Sequence, residues 1–121
     1  MAIIIDDRAR EVIMHRRARG HDPTLMLRIA VVPVRGMHRV LSVGWAPRRI
    51  RQRDMAVWRV GDAVLYVGER LARYARWRDV TVSAWHVGPI DRLMVVDELP
   101  VLREMEAWER AHPVLARRPV A

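Results

Sequence analysis

Apolar residues in this sequence come in short runs, and nearly every run is closed by glycine, proline or aspartate. Residues 2–5 stop at Asp6 and Asp7, residues 24–32 at Pro33, residues 55–60 at Gly61-Asp62 and residues 79–87 at Gly88-Pro89. Short apolar stretches bounded by turn formers and rich in β-branched side chains read as strands. The pattern excludes a membrane-spanning helix, which takes roughly 18 uninterrupted apolar residues. An acidic pair directly after the first run also breaks the pattern of a secretory leader, so the chain is expected in the cytoplasm. At 121 residues the sequence has the size of one domain that buries about 65 % of its unfolded surface. That domain is expected over residues 1–113, with 114–121 as a flexible tail.

Three helices interrupt the strands. Asp6 and Asp7 are placed to accept the free amides of a first turn, and Ala9, Val12, Ile13 and the stem of Arg16 follow at helical spacing until Gly20. Residues 68–78 form a second helix, with Leu71, Ala72 and Ala75 inward and Glu69 paired with Arg73 one turn on. Asp97 opens the last one, in which Val101, Leu102, Met105 and Trp108 make an apolar stripe opposed by Glu104, Glu106 and Glu109, and Pro113 closes it. Between the helices, residues 24–32 pair with 37–45 across Pro33 and Gly36, and 55–60 with 63–67 across Gly61-Asp62. Residues 79–87 pair with 91–96 across Gly88-Pro89. The order β-α-β-β-β-β-α-β-β-α describes an α+β domain on mostly antiparallel or mixed sheet.

The missing residue types bear on chemistry. Without cysteine the chain has no disulfide, no thiolate metal site and no cysteine nucleophile. Lysine, asparagine and phenylalanine are absent too, and all 22 basic side chains are arginine. The codons of the missing residues are AT-rich, so the arginine content reflects GC-rich coding more than function. The net charge of +8 is unevenly placed: residues 1–96 hold 18 Arg against nine acids, and residues 97–121 hold four against five. A body of that sign attracts polyanions and acidic proteins. Nucleic acid is therefore an alternative partner, held by Arg48, Arg49, Arg51 and Arg53 in the exposed loop 47–54, with Trp45 and Trp58 on the flanking strands as stacking faces. The plainer reading of that loop is a solvated surface.

No glycine-rich phosphate loop or nucleophile elbow occurs, and Ser42, Ser83, Thr24 and Thr81 are the only aliphatic hydroxyls. The acid pairs Asp6-Asp7 and Asp97-Glu98 stand at helix starts, where capping accounts for them. The chain is therefore expected not to be an enzyme. Of the five histidines, His38 and His86, together with Asp91, are the residues from which an imidazole–carboxylate metal site is conceivable. No two histidines have the spacing of a metal motif, so packed or surface histidines are the plainer reading.

Several segments taken in order are similar to a known family. Ile4 to Ile13 reads Ile-Ile-Asp-Asp-Arg-Ala-Arg-Glu-Val-Ile, and it is followed by Leu27-Arg28-Ile29-Ala30-Val31, Gly36-Met37-His38-Arg39-Val40-Leu41, Val64-Leu65-Tyr66-Val67 and a strand pair within residues 79–96. Over residues 3–96 the chain resembles the A-type iron–sulfur cluster carriers, the HesB-like domain family. The resemblance implies a single HesB-like domain and, in the family, iron or cluster binding by three cysteines. Here Val34 and Arg35 stand where Cys and Ser are expected before Gly36, and the helix around residues 99–112 replaces the C-terminal cysteine pair. Thiolates hold such clusters, so no iron or iron–sulfur cofactor is expected. The expectation is a non-enzymatic HesB-like binding or structural module, an adaptor related to iron–sulfur biogenesis. It is expected to dock a protein partner or self-associate and to make no membrane contact. Val101, Leu102, Met105 and Trp108 are the candidate interaction stripe, with packing on the chain's own core the plainer reading of such a helix.

Overall fold

The computed structural model describes residues 2–32, 36, 38–47, 55–87 and 90–116. The elements are β1 (Ile3–Ile5), α1 (Asp7–Ala18), β2 (Leu25–Val32), β3 (His38–Trp45), β4 (Met55–Val60), β5 (Ala63–Gly68), α2 (Glu69–Ala75), β6 (Val80–Val87), β7 (Ile90–Val95), α3 (Glu98–Ala111) and α4 (Pro113–Ala116). The order is the one the sequence implies, with α4 added at the end. Three strands form a sheet in the order β1-β6-β7, and four form a second in the order β3-β2-β5-β4. The hairpins β2–β3, β4–β5 and β6–β7 are antiparallel, while β1–β6 and β2–β5 are parallel, so both sheets are mixed. Strand β3 runs beside β7 and β1 beside β4, so the two sheets meet along both margins around one core.

Alternation along the strands fills that core. Ile3 and Ile5, Leu25 and Leu27, Leu65 and Val67, and Val80 and Val82 are buried at every second position, as side chains on one face of a pleated strand must be. Helix α1 contributes Ala9 and Ile13, and α2 contributes Leu71, Ala72, Tyr74 and Ala75. Two turns use glycine's freedom at positive φ. Gly61 (φ +62) reverses the chain between β4 and β5, and Gly20 (φ +75) lies just past the end of α1. Asp6 caps α1 by accepting the Ala9 amide at 2.9 Å, and Glu69 pairs with Arg73 at 2.7 Å.

Three expectations need correction. The second helix is shorter than residues 68–78, since the chain turns after Ala75, and its buried face includes Tyr74, whose hydroxyl donates to Glu104 at 2.9 Å. Asp97 does not cap α3 with its side chain: its backbone is left-handed (φ 54, ψ 49), whereas a side-chain cap is normally made from extended backbone. The neighbouring Glu98 instead accepts the Leu41 backbone amide at 2.5 Å, tying the start of α3 to β3. The chain after Pro113 does not start as a tail: Pro113 opens α4, which packs on α2 and α3, and residues 117–121 lie outside the described residues.

Candidate functional site

The apolar stripe of α3 is turned into the chain's own core. Leu102 and Met105 are buried, and Val101 and Trp108 pack half-buried against the same cluster. The acidic side of the helix is fastened to the basic body. Arg70 donates to both carboxylate oxygens of Glu109, at 3.0 and 2.6 Å, and Arg39 pairs with Glu106 at 3.0 Å. The Glu109 carboxylate holds the Arg70 guanidinium above its ordinary pKa, and burial, with Glu104 beside it, pushes the Tyr74 hydroxyl up to about 12. Of the two placements the sequence leaves open for Val101, Leu102, Met105 and Trp108, the chain's own core, the plainer one, is observed. The candidate interaction surface on them is corrected, because core packing already occupies them.

A different apolar surface is open. In β6, Val80, Val82 and Ala84 point inward, so Thr81, Ser83 and Trp85 alternate onto the other face, where Ser83 is buried, Thr81 half-buried and Trp85 exposed; in β7 the outward set is Ile90, Arg92 and Met94. Trp85 stands opposite Arg92 and Ser83 opposite Met94, and Ile4 of β1 lies beside Thr81. On this face Ile4 is 41 % exposed, Trp85 49 %, Met94 36 % and Ile90 61 %. Val96 (36 %) and Leu99 (61 %) carry the patch on to the first turn of α3. A shallow depression of about 340 Å³, walled partly by Trp85, Arg92, Met94 and Asp97, adjoins it. This face is hidden in the sequence because a strand with apolar residues on both sides looks like one buried on both sides. The usable signal was that no remaining apolar helix face is left over to cover it.

The opposite side of the same hairpin borders a groove between α1 and the seam of β3 with β7. One hollow of about 370 Å³ is lined by Arg8, Glu11 and His15 of α1 and by Ala84, His86 and Asp91 of the hairpin. His86 and Asp91 are cross-strand neighbours whose Nδ1 and carboxylate oxygen are in contact, as the register of the hairpin provides. His38 begins β3, on the other sheet, and among the described residues no three histidine or acidic side chains are grouped to hold a metal ion. The structure therefore brings together His86 and Asp91 of the proposed metal ligands and leaves His38 apart.

The arginine loop, Arg48, Arg49, Arg51 and Arg53, lies outside the described residues. Of its two proposed stacking partners, Trp45 carries the Arg16 guanidinium 4.3 Å from its ring centre, and Trp58 packs half-buried against the core. Among the described residues no helix is long and apolar enough to cross a membrane.

No family model and no curated protein matches the chain. Among solved structures it is similar to SufA of Escherichia coli, described as involved in biosynthesis of iron–sulfur clusters, with a TM-score of 0.46, 16 % identity and 78 % of each chain covered.

Proposed function

We propose that the chain is a non-catalytic protein-docking module that works without a metal or cluster, and that its outer β1-β6-β7 face seats a second copy of itself. One observation carries this reading: Ile4, Trp85, Ile90, Met94 and Val96 stay exposed together on a single sheet face, whereas the other exposed large apolar side chains outside it and the adjoining Leu99, namely Met14, Val57, Trp77 and Val114, lie on separate parts of the chain. A contiguous apolar patch rimmed by polar groups is the usual form of a docking surface. A large aromatic beside a depression and an arginine in mid-face are the residue types that anchor such contacts. The patch is also suited to self-pairing. In a two-fold apposition the same face serves both copies, and Arg92 of each meets the exposed acidic start of α3, at Asp97, of the other. The chain offers no thiolate, so it keeps the scaffold suggested by the family resemblance without the cluster chemistry.

Sedimentation velocity over a wide concentration range tests the reading. The full chain, 14.1 kDa as a monomer, is expected to reach twice that mass at micromolar concentration. Ile90→Glu and Met94→Glu are each expected to return it to the monomer while keeping a native circular dichroism spectrum. A wild-type chain that stays monomeric throughout, or two variants that pair as the wild type does, overturns it.

A further inference from the structure

At the end of α1, on the side of the hairpin away from Ile90 and Met94, a polar hollow of about 210 Å³ is walled by His15, Arg16, Arg19, His21, Trp45 and Asp91. Its charges are sorted in a way that helix stability alone does not require. Cations in a last turn favour the helix dipole wherever they point, and Arg17 does this while answering Asp62 at 2.7 Å. Arg16 and Arg19 have no acidic partner among the described residues. Arg16 is also held in place. Its Nε donates to the Asp22 carbonyl at 2.6 Å and its guanidinium lies over Trp45, so the two Nη groups are oriented before any ligand arrives. The one acid on the wall, Asp91, is engaged by His86.

We propose that this hollow binds the phosphate group of a small phosphate monoester. Two guanidinium groups offer paired donors matched to phosphate oxygens, and His15 and His21 supply imidazole donors at the rim. A neighbouring hollow of about 590 Å³, lined in part by Val12, Val43 and Leu93 along the β3–β7 seam, has room for the uncharged part of the ligand. Of all the arginines in the described structure, Arg16 alone is both stacked on an aromatic ring and tied to a backbone carbonyl, which fixes where the anion sits. The site is independent of pairing through the outer face.

Phenyl phosphate titrated into the ¹⁵N-labelled full chain tests the proposal. Saturable one-to-one shifts are expected at the Arg16 Nε–H and Trp45 indole N–H signals. Arg19→Gln and His21→Gln, both at exposed positions, are each expected to weaken binding, the arginine change by about tenfold or more, the loss of a charge-assisted contact. Arg110→Gln, on the exposed part of α3, is expected to leave the affinity unchanged. Shifts that never saturate and follow ionic strength alone, or an Arg19→Gln chain that binds as the wild type does, overturn the proposal.

Discussion

Asp97 is the one non-glycine residue with a positive φ among the described residues, and its side chain makes no capping bond to repay that conformation. Left-handed backbone costs an L-residue roughly 1–2 kcal/mol, and glycine gives part of this back through the entropy of the unfolded chain. Asp97→Gly is therefore expected to stabilise the unpaired chain by about 0.5–1 kcal/mol in urea unfolding at concentrations below pairing, where the proposed contact with Arg92 of a second copy is absent; destabilisation there would show that the carboxylate makes a contact within the chain that matters. Tyr74 gives a second test at this scale. Its folded pKa is raised to about 12, by burial first and then by the Glu104 hydrogen bond. Below about pH 10 the phenol is neutral in both folded and unfolded chains; between about 10 and 12 only the unfolded chain ionises, so stability falls as pH rises through that window. Absorbance titration of the phenols is expected to show a step near 12 that Tyr74→Phe removes, and this variant is expected to flatten the alkaline loss of stability. Neither residue's role was legible in the sequence. Asp before a helix reads as a cap whatever its φ, and Tyr74 shows its partner only once α3 has folded back.

At the scale of elements, the strands were the most legible part, because each is terminated by turn residues whose backbone demands are local: Gly61 at φ +62 is where the β4–β5 hairpin was expected to turn. Helix α3 is legible in the sequence as an amphipathic helix with its own core as the plainer place for the stripe, although the stripe alone fits a partner's surface as well. The ion pairs decide it: Arg39 and Arg70 reach Glu106 and Glu109 from two different elements. Exposed pairs of this kind contribute about 1 kcal/mol or less each, so the fully buried Met105 and the nearly buried Leu102 bear most of the attachment. A chain ending at Val96 is accordingly expected to lose cooperative unfolding, exposing apolar core to a hydrophobic dye. A truncated chain that still melts in one sharp transition would show that α3 is dispensable to the fold.

For the molecule as a whole, the charge imbalance in the sequence turns out to be partly an internal arrangement. The acidic C-terminal stretch lies on the basic body, and Arg39, Arg70, Arg73 and Arg17 are answered by carboxylates within the chain. The net charge of +8 is what remains, with Arg16 and Arg19 at one groove among its contributors. The apolar face was hidden from sequence reading for the converse reason: which side of a strand lacks a cover depends on where every helix goes. In the proposed pairing, two copies meet on that face. Intermolecular NOEs in a mixture of isotope-labelled and unlabelled chains test it most directly. Contacts from the Met94 and Ile90 methyl groups of one copy to the Trp85 ring of the other are the expected result; intermolecular contacts confined to other surfaces, or none at any concentration, would contradict it.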